Sequence, residues 1–104
     1  MANKKYEIRY LPTFISQFNN ILYYITYELK NKIAADNFYN DVVKQIEKRS
    51  NAPESYEVFK TFNGGKIKYY KINVKNFTIF YIVKGKVMEI RRIYYSKSNF
   101  ENFI

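Results

Sequence analysis

Residues 67–95, IKYYKINVKNFTIFYIVKGKVMEIRRIYY, predict three successive β-strands joined by short turns. Ile67–Val74 alternates between apolar and polar residues over most of its length, which is typical of a strand with one buried face. Phe77–Val83 is apolar almost throughout and rich in β-branched and aromatic residues, so it is predicted to be the central strand. The strands are separated by two turn signals, Lys75-Asn76 and Lys84-Gly85-Lys86. Val87–Tyr95 then returns as the last of the three, which is the fourth strand of the sheet once a short strand near the N-terminus is counted.

The first half of the chain has a helical period. Apolar residues recur at steps of three and four over Thr13–Lys30 and again over Ile33–Ser50, which predicts two amphipathic helices. The short connection between them predicts an antiparallel helical hairpin. Tyr6–Tyr10 alternates as a short first strand, and Tyr56–Phe62, before an Asn-Gly-Gly turn, is a candidate additional strand. Lys97–Ile104 is predicted to form a final helical turn on the core.

The predicted fold class is therefore α+β, in the order β-α-α-β-β-β. An antiparallel sheet carries the N-terminal helical hairpin on one face, because each amphipathic element must bury its apolar side against another layer. A chain of 104 residues buries one core and not two, so residues 1–104 are expected to form a single domain. The helix-free face of the sheet is expected to carry much of the basic segment from Lys60 to Lys97, and it is the surface available to a partner.

The positive charge is concentrated in one segment. Between Lys60 and Lys97 there are ten basic residues and a single acidic one, Glu89, so this segment carries the whole formal net charge of +9. A localised positive field suits nucleic acid, an acidic protein or an anionic membrane surface. A coding bias toward Lys, Asn, Ile and Tyr would explain the abundance of Lys, but not the scarcity of acids. An ordinary solvated surface is the alternative to a functional basic face.

Cys and His are both missing, and their absence excludes several kinds of site. The chain has no Cys and no His, which excludes disulfides, thiolate metal sites, serine triads and the two-histidine chemistry of many ribonucleases. The acidic residues are scattered, so neither a metal site nor any other cofactor is expected. The sequence contains neither a run of eighteen apolar residues nor an apolar signal core, so a cytoplasmic protein with no membrane partner is expected.

Several short motifs, taken in order, resemble a known family. They are YEIRYLP at 6–12 before a helix, ILYYI at 21–25 with LKN at 29–31 and AA at 34–35, Pro53 after the second helix, YKINVKNFTIFY at 70–81, and VMEIRRIYYS at 87–96. Together they resemble the RelE/ParE toxins of type II toxin–antitoxin systems. The resemblance extends from Tyr6 to about Asn99 and is closer to the ParE-like members.

The resemblance implies a growth-inhibiting toxin, with a role in plasmid stabilisation, that is held inactive by a cognate antitoxin. RelE-like members are ribosome-dependent endonucleases that cut mRNA, whereas ParE-like members poison DNA gyrase without an established hydrolytic site. The implied partners are the antitoxin together with either gyrase or the ribosome and mRNA. The protein itself would form a homodimer or a toxin–antitoxin hetero-oligomer. Fold alone does not choose between these targets.

Matching the RelE pattern residue by residue leaves gaps. Lys71 matches the first of two expected lysines, but Asn73 stands at the second and Thr78 at an expected arginine. Lys97 stands where a further arginine is expected and lacks its planar fork. In RNA cleavage without His, a Lys could act as the base, an Arg could stabilise the charge on the phosphate, and a Tyr could act as the acid for the leaving oxygen. If the chain is a nuclease, the candidate catalytic residues are Lys71, Arg91, Arg92, Tyr95 and Lys97.

Three functional hypotheses follow from the residues and the resemblance. The first is a ParE-like toxin that acts on DNA gyrase by protein binding, which the missing RelE lysine and arginine favour. The second is a ribosome-dependent mRNA endonuclease. The third is a non-toxic basic binding module that kept the fold. For the antitoxin, we expect an amphipathic helix in the apolar groove beside the hairpin and an acidic or strand segment on the sheet.

Overall fold

The computed structural model describes residues 5–98. In chain order its elements are β1 (Glu7–Tyr10), α1 (Pro12–Tyr23), a π-helical segment (Tyr24–Glu28), α2 (Lys32–Arg49), β2 (Lys60–Phe62), β3 (Ile67–Val74), β4 (Phe77–Lys84) and β5 (Val87–Tyr95). The α+β prediction is confirmed, and the candidate additional strand is present in a shorter form as β2. Most of the helical turn predicted at Lys97–Ile104 lies outside the described residues.

The five strands form one sheet in the order β1-β5-β4-β3-β2, so β4 is central, as its uninterrupted apolar run predicts. Strands β2 to β5 pair antiparallel. Strand β1 instead lies parallel to β5, with Glu7 opposite Val87 and Tyr10 opposite Ile90. The sheet is therefore mixed rather than wholly antiparallel. Parallel neighbours need a long connection, and the whole hairpin and three strands separate β1 from β5 in the chain.

Individual residues fix the starts of the two helices and the turn between them. Pro12 opens α1, where its missing N–H would have had no helical partner. After Tyr23 the predicted helix continues to Glu28 with π-helical bonds, and at its end the Leu29 N–H donates to the Tyr24 carbonyl at 3.0 Å, a spacing of five residues. Lys30 then adopts a φ of 52°, and the Asn31 Oδ1 caps α2 by accepting from the Ala34 N–H at 3.0 Å.

The main core lies between the hairpin and one face of the sheet. Its buried helical members are Phe14, Phe18, Phe38, Val42 and Ile46, and its buried strand members are Tyr70, Ile72, Val74, Ile79, Tyr81, Met88, Ile90 and Ile93. The helical members follow the three- and four-residue steps that predicted the helices. Within residues 5–98 no helix lies over the other face of the sheet, and three of the five candidate catalytic residues lie there.

Candidate functional site

The helix-free face of the sheet has an aromatic and aliphatic layer of its own. Tyr69, Phe80 and Ile82 are buried on this face, and Phe80 is 0% exposed. Partly buried residues pack around them: Phe59, Phe62, Ile67 and Tyr94. Since no helix of the described part covers this layer, the side chains that shield it come from the sheet's own edge and from long basic residues.

A row of three cross-strand neighbours forms the centre of this face. Phe80 on β4 lies opposite Lys71 on β3 and opposite Arg92 on β5. The two cations are thus two strand spacings apart, about 9–10 Å. The Lys71 Nζ lies 4.9 Å from the centre of the Phe59 ring, a cation–π distance, and the Arg92 Nη1 donates to the Arg91 carbonyl at 2.9 Å. The row presents two fixed positive charges above a buried ring.

A β-bulge brings the two consecutive arginines to the same face. The register between β4 and β5 shifts at Phe80 and Tyr81, so that Phe80 pairs with Arg92 whereas Tyr81 pairs with Ile90. Arg91 is therefore the extra residue. In a regular strand Arg91 and Arg92 would point to opposite faces, but a bulge places two residues against one and re-aims the side chain.

Glu89, the single acid of the basic segment, holds Arg91 in place. It is 6% exposed, and its Oε1 accepts from the Arg91 Nη1 at 2.7 Å, while the Lys84 Nζ lies 3.8 Å away across the strands. The Arg91 guanidinium also lies 5.7 Å from the centre of the Tyr69 ring. A nearly buried carboxylate therefore compensates part of the positive charge on this face.

Next to the central row lies a neutral hydrogen-bonded cluster. Thr78, which is 2% exposed, donates from its Oγ1 to the Asn73 Oδ1 at 3.0 Å, and its Oγ1 lies 2.8 Å from the Ser96 Oγ. Asn73 and Thr78 are direct cross-strand partners. They are also the two positions at which the RelE pattern expects a lysine and an arginine. The fold brings both positions together beside Lys71, but with uncharged side chains.

The five candidate catalytic residues do not all converge. Lys71, Arg91 and Arg92 share the helix-free face. Tyr95 lies on the opposite face, with its ring 5.8 Å from that of Phe77, which packs against the hairpin core. Lys97 is an exposed residue in the turn that follows β5. The bulge explains the placement of Tyr95, because it reverses which residues of β5 face the helices.

The basic segment as a whole is not confined to one face. Lys75 pairs with Asp41 of α2 at 3.3 Å, on the hairpin side, and the Lys86 Nζ lies over the Tyr6 ring at 4.6 Å. The expectation of a basic helix-free face thus holds for part of the segment only.

Arg49, which the sequence did not single out, connects α2 to the edge of the sheet. Its Nη1 donates to the Tyr81 hydroxyl at 2.9 Å and to the Lys71 carbonyl at 3.1 Å, and its guanidinium carbon lies 3.5 Å from the centre of the Tyr56 ring. The Tyr81 hydroxyl in turn donates to the Pro53 carbonyl at 2.8 Å. In the sequence Arg49 looks like an ordinary basic residue of a last helical turn, and no signal distinguishes it.

The buried tyrosines predict a loss of stability at alkaline pH. Burial raises the pKa of Tyr81, and the weaker effect of the Arg49 hydrogen bond lowers it; burial also raises the pKa of Tyr10 and of Tyr70. The unfolded chain therefore releases these protons first. The free energy of unfolding should keep their contribution below about pH 10, the unfolded value, and lose it as pH rises through the folded pKa values.

Urea unfolding followed by far-ultraviolet circular dichroism between pH 8 and pH 11 would measure this loss. Tyr81→Phe should flatten the pH dependence while costing about 1–3 kcal/mol at neutral pH, because the Pro53 carbonyl loses its donor. Tyr95→Phe, at a surface position, is the matched control. A free energy of unfolding that stays level to pH 11 in the unaltered protein would contradict the prediction.

Beside the hairpin there is an apolar cavity of about 560 Å³. Its apolar lining is Ile21, Tyr24, Ile25, Leu29, Ala34, Phe38 and Phe77. Tyr24 and Leu29 are more than half exposed at its mouth. This is the groove in which the sequence predicted that a partner helix would dock.

Metal-binding clusters and membrane-spanning helices are both absent from the described residues. Within residues 5–98 no group of three or more His, Cys, Asp or Glu side chains could hold a metal ion. None of the helices in that range combines the length and the apolar character needed to cross a membrane. The site is therefore a surface of fixed cations, buried aromatics and a neutral polar cluster.

Comparison with known proteins shows similarity to a protein family and to a solved structure. The family described as "ParE toxin of type II toxin-antitoxin system, parDE" matches residues 8–100. A solved structure of the chromosomal ParDE toxin–antitoxin system from P. aeruginosa superposes with a TM-score of 0.71 at 16% sequence identity, covering 89% of this chain and 98% of that chain. No curated protein sequence matches. At that identity the solved structure supports the fold alone.

Proposed function

Because this chain belongs to the ParE family of toxins of type II toxin–antitoxin systems, we propose that it inhibits growth by binding a protein target, and that DNA gyrase is that target. The family membership makes the chain a type II toxin and implies an antitoxin partner. In this proposal residues 1–104 act as one toxin domain in the cytoplasm, where gyrase and its DNA are found.

The neutral cluster beside Lys71 is the observation that supports binding over RNA cleavage. Attack by a 2′-hydroxyl needs a base, a stabiliser of the phosphate charge and an acid within reach of one phosphate. Asn73 and Thr78 occupy the positions of the expected lysine and arginine, and the Thr78 hydroxyl donates to the Asn73 Oδ1, so neither position supplies a positive charge. Tyr95, the proposed acid, lies on the opposite face of the sheet.

The surfaces of the toxin suit an antitoxin that combines an apolar helix with acidic residues. The cavity beside the hairpin offers Leu29 and Phe38 to apolar anchors, in the helix-in-groove mode of recognition. The Lys71 and Arg92 row offers charge complementarity to carboxylates. We infer a toxin–antitoxin hetero-oligomer in which the antitoxin contacts both surfaces.

Supercoiling of relaxed plasmid by purified gyrase tests the proposed target. Folded toxin in molar excess should block supercoiling, and addition of the antitoxin should restore it. Toxin unfolded by heat is the control for non-specific effects of a basic protein. Normal supercoiling in the presence of excess folded toxin would refute gyrase as the target.

The mRNA endonuclease remains the second candidate, since Lys71, Arg91 and Arg92 do share a face. It predicts discrete cuts in message on translating ribosomes, and loss of those cuts in Lys71→Ala. We expect intact message from both proteins. If the unaltered toxin cuts mRNA and Lys71→Ala does not, the endonuclease replaces gyrase binding as the function. Harmless expression of the folded toxin without its antitoxin would instead favour the non-toxic binding module.

A further inference from the structure

The outer side of α1 carries no charge. From Tyr10 to Tyr27 the sequence contains no Asp, Glu, Lys or Arg, although these residues make up 26% of the chain. The solvated side of a surface helix normally carries charged residues. Tyr, Ser and Asn instead predominate here, a combination typical of antibody binding loops, in which Tyr adds contact area at low entropic cost and Ser and Asn supply adaptable hydrogen bonds. The exposed residues are chiefly Ile15, Ser16, Asn19, Asn20, Tyr23 and Tyr27.

Four of these residues form a ridge along the helix. Ile15, Asn19, Tyr23 and Tyr27 follow one another at steps of four, so their side chains lie in a row. Tyr23 and Tyr27 are 61% and 62% exposed, and their ring centres lie 4.7 Å apart. The ridge therefore ends in a projecting pair of aromatic rings.

An apolar groove of about 270 Å³ lies beside this ridge, between α1 and α2. Phe14, Phe18 and Val42 are buried at its base, and Ile15 and Tyr39 are 45% and 49% exposed at its rim. A ridge and a groove on one surface are self-complementary, because a two-fold axis places the ridge of each copy against the groove of the other.

The charge distribution favours a second copy of this chain at this surface. Two molecules of formal net charge +9 repel each other unless their basic regions stay apart. Lys71, Arg91 and Arg92 lie on the helix-free face, across the sheet from α1. In a dimer joined through α1, the sheets and helices of both copies separate these cations by more than the Debye length of about 8 Å. An acidic partner, by contrast, would gain no charge complementarity from α1.

We propose that the chain forms a two-fold symmetric homodimer through the outer side of α1, with the two helices antiparallel and Asn19 next to the symmetry axis. Ile15 and Tyr23 lie four residues on either side of Asn19, so antiparallel helices place Tyr23 of each copy at the groove beside Ile15 of the other. Depletion of charge and enrichment in Tyr suit the centre of a protein interface. The inference goes beyond the proposed function and depends on neither gyrase nor the antitoxin.

Sedimentation equilibrium of the full chain without its antitoxin tests the dimer. One helix pair buries less surface than the standard interface of about 1,600 Å², so we expect monomer and dimer in exchange with a Kd on the order of 10 μM. The measured mass should rise from that of one chain toward that of two as the concentration passes this value. The mass of a single chain at concentrations about twentyfold higher would overturn the proposal.

Two substitutions of exposed tyrosines locate the interface. Tyr23→Lys should raise the Kd at least about tenfold, because each copy would then bury an ammonium group without a partner. Tyr95→Lys makes the same change at a position of β5 that is 45% exposed and lies outside the ridge and groove. It should change the Kd less than about threefold, since an exposed charge there is screened. Circular dichroism checks the fold of both variants, and equal effects would contradict an interface at α1.

A cysteine reporter tests the antiparallel arrangement and does not depend on either tyrosine variant. The chain has no Cys, so Asn19→Cys introduces a single thiol whose counterpart in the second copy would lie within disulfide reach. Mild oxidation should link it at least about ten times faster than Lys68→Cys, at an exposed position of β3. Equal rates of linkage would rule out Asn19 at the axis.

Other occupants of this surface would give different results. If the toxin is monomeric and Tyr23→Lys abolishes its block of gyrase, the outer side of α1 binds gyrase and the homodimer is refuted. Loss of antitoxin binding in Tyr23→Lys, with a monomeric toxin, would refute it in favour of the antitoxin. A dimeric toxin that leaves supercoiling unaffected would remove gyrase as the target and support the homodimer.

Discussion

Replacing Ile46 with alanine should lower the free energy of unfolding by about 2–5 kcal/mol. Ile46 is 0% exposed and lies in the main core between α2 and the sheet. The substitution removes three carbons and leaves a cavity that close-packed neighbours fill only in part. A domain of this size has a total stability of about 5–15 kcal/mol, so the loss would be a large fraction of it.

The same helix supplies a matched control for that experiment. Ile33 is 75% exposed near the start of α2, and Ile33→Ala makes the identical chemical change there. Its effect should stay within about 0.5 kcal/mol. Urea titration of both variants, followed by circular dichroism, measures the difference. Equal losses at the two positions would contradict the packing of α2 against the sheet.

Phe80→Ala should cost about 3–5 kcal/mol, although no helix of the described part covers the face from which Phe80 projects. Its ring is 0% exposed, and the rings of Phe59 and Tyr94 lie 5.4 and 6.3 Å away, centre to centre. The helix-free face therefore contributes to stability as a second small core. Because Phe80 also separates Lys71 from Arg92, its loss should disturb the cationic row above it.

Tyr95→Ala is the control for this prediction. Tyr95 lies three residues after Arg92 on β5 but on the other face, and it is 45% exposed. It should cost no more than about 1 kcal/mol. Urea titration again gives the free energies, and antitoxin affinity gives the functional effect. If Phe80→Ala unfolds at the same urea concentration as the unaltered protein, the second core makes no contribution.

The elements of this protein could be predicted from the sequence because their signals are local. The run of residues 77–83 is apolar almost throughout, which predicted the central strand, and β4 is indeed the centre of the sheet. The three- and four-residue steps around Phe18 and Val42 required a helical surface to bury them. The positions of Asn73 and Thr78 in the family pattern also showed that an expected lysine and arginine were missing.

The pairing of distant strands was not predictable in the same way. Nothing in Glu7–Tyr10 indicates that this strand lies parallel to β5. Its pairing partner depends on the path that the chain takes after the helical hairpin. The switch to π-helical bonds at Tyr24 is likewise not indicated by the residues of that segment. The pairing of β1 with β5 is decided by packing between segments far apart in sequence.

In the candidate site, the difference between what the sequence determines and what the tertiary structure decides is clearest at the β5 bulge. Composition alone determined that the chain is basic and aromatic and that no site in it can use histidine or cysteine. The periodicity of the apolar residues determined a helical hairpin packed on a sheet of successive antiparallel strands. Only the tertiary structure decided that Arg91 and Arg92 share a face, that Tyr95 leaves it, and that Arg49 reaches the Lys71 carbonyl. Side-chain direction in a strand depends on register, and register is fixed by contacts with the neighbouring strands and not by the residues of one strand.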